Sequence, residues 1–182
     1  MIHGAYGNPD ENWFPWLKKE LESRGHKLFI PRFPTPEGQD LKNWLKTFKE
    51  YEKYIKKDTI MIGHSVGAAF ILDYLEISNK SIRSAFLVSG FTSLLGNPKF
   101  DNINKTFVDK GFDWKKIKGN CVSFHLFHSD NDPYVPLGLA EDLARNLRVP
   151  LMTVKGAGHF NAKSGYIKFD QLLKKIIIEI SK

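Results

Sequence analysis

Cysteine is almost absent from this sequence: Cys121 is the one cysteine among 182 residues, so no internal disulfide can form. The chain also lacks the roughly 18-residue apolar run of a membrane span and the charged, then apolar, start of a signal peptide. These absences predict a cytoplasmic protein without a membrane span. No histidine stands beside Cys121 to activate its thiol, and its strand-like setting predicts a buried, unreactive side chain.

Metal-ligand spacings, arginine-rich clusters and exposed aromatic platform motifs are missing as well. We therefore expect no metal, no organic cofactor and no nucleic-acid partner. The formal net charge of +7 does not contradict this expectation. Much of the lysine follows one face of a predicted helix at steps of three and four residues, as a solvated outer surface does. These lysines are Lys42, Lys46, Lys49, Lys53 and Lys56.

What the sequence does contain is a regular alternation of strand-like and helix-like segments. Its apolar content of 42% fits one domain over residues 1–182. We predict helices over 12–24, from Asp40, and over 66–77, 137–147 and 165–180, and strands at 27–30, 58–62, 82–88, 121–128 and 150–154. The alternation predicts a three-layer α/β/α sandwich with a mainly parallel sheet of about six strands. Segment 91–119 is less regular and rich in aromatics, which suggests a short cap over a pocket.

A serine pentapeptide, Gly63-His64-Ser65-Val66-Gly67, joins a predicted strand to a predicted helix. In this context G-x-S-x-G is the nucleophile elbow of α/β-hydrolases, a strained turn that exposes a serine hydroxyl at the top of a sheet. The string alone is weak, so its interpretation depends on finding an acid, a base and an oxyanion hole elsewhere in the chain.

Only Met1 and Ile2 precede the next glycine turn, His3-Gly4-Ala5. A strand leading into this turn normally has about five or six residues. We therefore hypothesise that the natural protein has a few residues upstream of Met1.

The acid is expected in the loop Ser129–Pro136, which follows the strand at 121–128. Acidic side chains at the carboxyl end of a parallel strand face the functional crevice of such a sheet. The pattern D-x-x-V-P favours Asp132, while Asp130 remains an alternative that could instead brace the turn.

The base is expected in the glycine-rich loop Gly156-Ala157-Gly158-His159-Phe160, after the last strand. Chain order serine, acid, histidine is the order of α/β-hydrolases, so we predict His159 as the general base. His64 cannot easily reach the adjacent serine in the required geometry, although it is expected to touch the pocket.

Two backbone N–H groups are predicted to form the oxyanion hole. Val66 follows the nucleophile at a helix N-terminus, where the dipole helps to hold negative charge. The second donor should come from the His3-Gly4-Ala5 turn, with Ala5 preferred and Tyr6 as the alternative. A tight turn without catalytic role is the competing explanation for this H-G dipeptide.

Several blocks together resemble the small serine hydrolases related to YdeN and retinoblastoma-binding protein nine. They are Asn12–Leu21 (with W-F-P-W-L), the Ser65 pentapeptide, Leu87–Phe91 (with V-S-G-F), Asp132-Pro133 and Gly158-His159-Phe160. The resemblance spans nearly the whole chain. It implies a minimal α/β-hydrolase with a Ser65–Asp132–His159 triad and carboxylesterase-type activity, and the near-absent first strand departs from it.

The sequence thus predicts a serine hydrolase that cleaves small or medium acyl esters without a cofactor, as a monomer or weak homodimer. Tyr6, His64 and Phe91 are the predicted substrate-binding residues, whereas Trp13 and Trp16 are expected in core or rim packing. A thioesterase, a peptidase, and a binding module with little turnover remain alternatives.

Overall fold

Four parallel strands form the central sheet of the computed structural model, which describes residues 1–182. They are β1 (Ile60–His64), β2 (Ile82–Val88), β3 (Cys121–Ser129) and β4 (Leu151–Val154), in the spatial order β1-β2-β3-β4. The carboxyl ends of all four strands therefore lie along the same edge of the sheet, and the loops that follow the strands meet there.

Successive side chains along the strands enter two different hydrophobic cores. In β2, Ala85 and Leu87 belong to the larger core, whereas Phe86 and Val88 belong to the smaller one. This alternation with period two, apolar on both faces, is what a sheet covered on both sides requires.

Helices cover both faces of the sheet. On the smaller core lie α1 (Phe14–Glu22) and α7 (Asp170–Ile180). On the larger core lie α2 (Leu41–Phe48), α3 (Val66–Ile77), α4 (Pro98–Val108), α5 (Trp114–Gly119) and α6 (Leu137–Leu147). The three-layer α/β/α architecture predicted from the sequence is confirmed.

The sheet has fewer strands than the six or so expected. Before the first turn only Ile2 pairs with β1, through a single bridge to Gly63. Residues 27–30 do not form the predicted strand, and the Met1 ammonium group reaches this segment with one 2.6 Å hydrogen bond to the Phe29 carbonyl. An extended segment becomes a strand only where a neighbouring ladder accepts its backbone groups, and the single bridge at Ile2 is not such a ladder.

Local signals placed several elements well. β2, α3 and α6 have the predicted limits, and Asp40 caps α2 by accepting a 2.7 Å hydrogen bond from the Asn43 N–H. The less regular segment after β2 contains α4 and α5. None of the helices has the length and apolar character needed to cross a membrane.

Candidate active site

Ser65 occupies the turn between β1 and α3 with φ 57° and ψ −127°, a conformation that non-glycine residues rarely adopt. Its N–H donates a 2.8 Å hydrogen bond to the Val88 carbonyl at the end of the neighbouring strand. The backbone is therefore held in a strained turn by the adjacent strand, as expected where geometry serves a function.

The glycines around Ser65 are required by close backbone contacts. A Cβ atom at Gly63 would lie 2.5 Å from the Gly67 carbonyl oxygen, and one at Gly67 would lie 2.5 Å from the Ile2 carbonyl oxygen. A Cβ atom at Gly4 would lie 2.9 Å from the Ser65 Cβ atom. The turn His3–Ala5 is thereby packed directly against the serine.

The backbone N–H groups of the two predicted oxyanion donors, Val66 and Ala5, have no acceptor within the chain, whereas that of the alternative donor, Tyr6, has one. Val66 is the first residue of α3, where the backbone N–H has no intrahelical acceptor. The Ala5 N–H also meets no acceptor within the chain. In contrast, the Tyr6 N–H donates a 2.7 Å hydrogen bond to Thr35 Oγ1, so that donor is already used.

His3 fixes the position of this turn. Its ring is fully buried, its Nδ1 lies 2.9 Å from the Gly4 carbonyl, and its Nε2 lies 3.0 Å from the Phe33 N–H. The neutral tautomer with hydrogen on Nδ1 satisfies both bonds at once. Burial lowers the pKa of His3, which favours this neutral form.

Asp132 and His159 form a hydrogen-bonded pair. His159 Nδ1 lies 2.8 Å from Asp132 Oδ2, and Asp132 Oδ1 accepts hydrogen bonds from the N–H groups of Tyr134 and Val135 at 2.9 and 3.1 Å. Burial alone raises the pKa of Asp132, but its hydrogen bond and charge interaction with His159 and these N–H groups outweigh burial and lower it. The carboxylate is therefore held ionised beside the imidazole.

The neighbours of Asp132 tie the acid loop to the histidine loop. Asp130 Oδ1 accepts a 2.7 Å hydrogen bond from the Gly156 N–H, and Asn131 Oδ1 accepts one of 2.7 Å from the Gly158 N–H. Asp130 thus has a bracing contact, across to the histidine loop, and Asp132 has the contact with the imidazole.

Two residues near the start of the chain, Asn12 and Trp13, also hydrogen-bond to the backbone of the histidine loop and the residues just after it. Trp13 is fully buried, and its indole N–H donates a 3.0 Å hydrogen bond to the Phe160 carbonyl. Asn12 Oδ1 accepts a 2.8 Å hydrogen bond from the Ala162 N–H. Trp13 therefore lies in the core as expected, with a positioning contact that its spacing did not reveal.

His64 hydrogen-bonds to the backbone of His159. Its Nε2 lies 2.8 Å from the His159 carbonyl and must carry the hydrogen, because a carbonyl oxygen can only accept. Burial, and then the nearby His159, lower the pKa of His64 to about 3. His64 is in the lining of the cleft, and its ring nitrogen contacts the backbone carbonyl of His159.

A cleft of about 440 Å³ lies above these groups and contains Ser65, His159, Ala5, Tyr6 and His64 in its lining. Tyr6 is 45% exposed at the cleft. Phe100 and Asn104 of α4 also line the cleft, and the Phe100 ring packs edge-on against Tyr134 with 5.6 Å between centroids. No group of three or more histidine, cysteine or acidic side chains is arranged to hold a metal ion.

Phe91 requires a correction. It is fully buried in the larger core and is absent from the cleft lining, so the structure does not support its prediction as a substrate-binding residue. Aromatic residues after a strand end can enter either a core or a cavity, and here the core provided the larger apolar contact. Phe100, from the same segment, lines the cleft instead.

A second cavity, of about 610 Å³, lies at the amino-terminal end of β1 and β2. Its lining is largely apolar and includes Ile60, Phe29 and Tyr54, with none of the polar groups described above. We do not assign the hydrolytic site to it.

Known proteins resemble this chain in sequence and in fold. The serine hydrolase family model matches residues 1–177. YdeN of Bacillus subtilis (strain 168) is 32% identical over 168 residues, which cover 91% of this chain and 87% of that protein. Serine hydrolase RBBP9 of Rattus norvegicus is 32% identical over 149 residues, covering 81% of this chain and 77% of that protein.

Solved structures agree with these relatives. The crystal structure of the ydeN gene product from B. subtilis superposes with a TM-score of 0.92 at 30% identity, covering 100% of this chain and 97% of that one. Est1E from Butyrivibrio proteoclasticus has a TM-score of 0.71 at 17% identity, covering 100% of this chain and 87% of that one, and so supports the fold. The architecture is that of an α/β-hydrolase. The chain belongs to the serine hydrolase family that includes YdeN and RBBP9.

Proposed function

We propose that the protein is a carboxylesterase-type serine hydrolase that cleaves small or medium acyl esters through an acyl-enzyme intermediate. The observation that carries the proposal is the 2.8 Å contact between His159 Nδ1 and Asp132 Oδ2 in a cleft that also contains Ser65. A strained serine turn, a buried carboxylate and an imidazole hydrogen-bonded to that carboxylate are the parts that nucleophilic acyl transfer requires.

In the first step, His159 removes the Ser65 proton while Oγ attacks the ester carbonyl carbon. Asp132 keeps the hydrogen on Nδ1 and stabilises the imidazolium that forms. The tetrahedral intermediate then collapses, the alcohol leaves with the proton from His159, and the acyl group remains on Ser65. Water activated by His159 attacks this ester in the second step and releases the acid.

The oxyanion of each tetrahedral intermediate is assigned to the N–H groups of Val66 and Ala5. Both N–H groups belong to residues packed around Ser65, and Val66 adds the favourable end of the α3 dipole. Losing one such donor typically costs about 100- to 1,000-fold in rate. Tyr6 is proposed to contact the substrate with its exposed side chain, and His64 to act through the His159 carbonyl.

A fluorophosphonate probe tests the nucleophile directly. We expect covalent labelling of the wild type and none of the Ser65→Ala variant. Ser93→Ala, which removes an exposed hydroxyl outside the cleft lining, is the matched control and should label normally. Absence of labelling in the wild type would favour a binding module with little turnover.

Hydrolysis of 4-nitrophenyl esters from acetate to decanoate tests the substrate class. The cleft of about 440 Å³ favours short and medium acyl chains, so kcat/KM should fall for the longest ones. Faster turnover of acyl-thioesters or aminoacyl amides than of any ester would assign a thioesterase or peptidase instead.

Cytoplasmic location and a monomeric or weakly dimeric state complete the proposal. Cell fractionation with an antibody and sedimentation velocity at several protein concentrations test these two points.

A further inference from the structure

Asn104 on α4 presents an unused amide to the cleft. The residue is only 2% exposed, and its Oδ1 accepts a 2.8 Å hydrogen bond from Gln39 Nε2. Its Nδ2 donates to no group of the chain, yet it is not among the enclosed polar atoms that lack partners. Because Asn104 lines the cleft, this N–H₂ group is accessible from the cleft.

The orientation of this amide is determined by a chain of hydrogen bonds that all run in one direction. The Tyr6 N–H donates to Thr35 Oγ1 at 2.7 Å, and the Thr35 hydroxyl donates to Gln39 Oε1 at 2.5 Å. Gln39 Nε2 then donates to Asn104 Oδ1 and to the Ile103 carbonyl. Reversing either amide would place like groups face to face, so Asn104 must direct its N–H₂ group to the cleft.

Positive charge accompanies this donor. Lys99, on the same helix, and Lys163, after the histidine loop, both line the cleft, and neither forms an ion pair. The acidic residue of the cleft lining is Glu11, whose carboxylate accepts two 3.2 Å hydrogen bonds from Asn8.

We propose that Asn104 and Lys99 form a subsite for a carboxylate, and that the preferred substrates are esters carrying a free carboxylate group. A carboxylate only accepts hydrogen bonds, and the cleft offers it a fixed donor in Asn104 and a cation in Lys99. The inference rests on the proposed esterase function, and it adds the chemical class of the substrate.

Matched pairs of esters test the subsite. Mono-4-nitrophenyl glutarate and its methyl ester differ only in a carboxylate on the acyl side, and 4-butyryloxybenzoate and its methyl ester differ in the same way on the alcohol side. We expect kcat/KM to be at least about tenfold higher for the carboxylate member of one pair, as a charge-assisted hydrogen bond implies. Equal values, or preference for the methyl ester, in both pairs would overturn the subsite.

Three variants assign any preference to its residues. Asn104→Asp replaces the donor with a like charge and should bring the carboxylate-to-methyl ratio below one. Lys99→Gln should lower the ratio and reduce its dependence on salt, because salt screens an exposed cation and Lys163 still lines the cleft. Lys105→Gln removes an exposed charge from the same helix outside the cleft lining and should leave the ratio as in the wild type. Circular dichroism and thermal melting confirm that each variant is folded, and an unchanged ratio in folded Asn104→Asp contradicts the assignment.

A binding measurement separates failure of the subsite from failure of the esterase proposal. Ser65→Ala, which has no nucleophile, is titrated with monomethyl glutarate and with dimethyl glutarate by amide NMR. Tighter binding of the monoanion, lost in Ser65→Ala/Asn104→Asp, supports the subsite even if no ester is hydrolysed. Equal binding of both compounds, together with turnover of neutral esters, overturns the subsite and leaves the esterase proposal intact.

Discussion

The two ends of the strands carry cavities of opposite character. At the amino-terminal end lies the larger one, about 610 Å³, lined mostly by aliphatic and aromatic side chains such as Phe29 and Ile60. At the carboxyl end the cleft is smaller, about 440 Å³, but side chain-to-backbone hydrogen bonds of Trp13, His64 and Asn131 join the loops around it. The comparison shows that the volume of a cavity does not identify the candidate active site. Polar side chains that converge on one cleft, with orientations fixed by hydrogen bonds, do identify it.

The largest expected effect at the carboxyl end comes from Asp132→Asn. Loss of the carboxylate removes the group that keeps hydrogen on His159 Nδ1, so kcat should fall about 10⁴-fold. Asp130→Asn is the matched control, because its contact is with the Gly156 N–H, and it should retain most activity. Steady-state kinetics on one 4-nitrophenyl ester measures both, and equal losses would contradict the choice of Asp132.

Gly67→Ala tests the close packing beneath the serine. The new Cβ atom would lie 2.5 Å from the Ile2 carbonyl oxygen and 2.7 Å from that of His3, so the free energy of unfolding should fall by about 3 kcal/mol. Gly138→Ala, in α6 with no atom within 4 Å of the added carbon, should be neutral or stabilising by about 0.5–1 kcal/mol. Urea unfolding gives both values, and similar losses in the two variants would refute the packing argument.

Lowering the pH should reduce the free energy of unfolding, because the buried His64 at the carboxyl end of the sheet resists protonation. Burial lowers the pKa of His64 to about 3, so the folded protein keeps it neutral while the unfolded chain binds a proton below pH ~6.5. Its contribution is therefore complete above that pH and is lost progressively as the pH falls towards 3, amounting to about 2 kcal/mol by pH 5. Unfolding measured from pH 7.5 to 5 should show a smaller decline in His64→Gln than in the wild type. Parallel declines would mean that His64 does not supply this pH dependence.

The smallest effect is expected at the amino-terminal end. Tyr54 stacks on Phe29 with 4.3 Å between ring centroids, and Tyr54→Ala should lower the free energy of unfolding by about 1 kcal/mol. The value of kcat/KM should stay within about twofold of the wild type, since neither residue lines the cleft that contains Ser65. A large loss of activity without unfolding would show that the two ends are coupled.

Elements with strong local patterns were predictable from the sequence. β2, α3 and α6 have the predicted limits because apolar spacing and flanking turn residues act within a few positions of one another. The order of Ser65, Asp132 and His159 was equally visible, since each follows a strand at its carboxyl end.

Features that depend on distant partners were not predictable. Residues 27–30 have a strand-like composition but remain outside the sheet, because a strand forms only where a neighbouring strand pairs with it. Phe91 and Phe100 look alike in sequence, yet only the packing of the folded chain sends one to the core and the other to the cleft.

The roles of Asn131 and Asn104, whose side chains hydrogen-bond to distant parts of the chain, were not predicted for the same reason. Asn131 and Asn104 are ordinary polar residues until their partners, Gly158 and Gln39, are known. For Asn131 a weak signal existed in its position between two acidic candidates. For Asn104 the sequence offered none.

The contacts of Asn12 and Trp13 with the histidine loop have a consequence for folding order. Their bonds join residues 150 and 147 positions apart, to Ala162 and Phe160 respectively. Contacts of such long sequence separation form slowly, because a long loop must close first. The serine turn can therefore assemble while the chain is still being synthesised, but the predicted base, His159, is positioned only after Asn12 and Trp13 have met the loop that follows β4. Catalytic competence should appear last during refolding, behind the recovery of secondary structure.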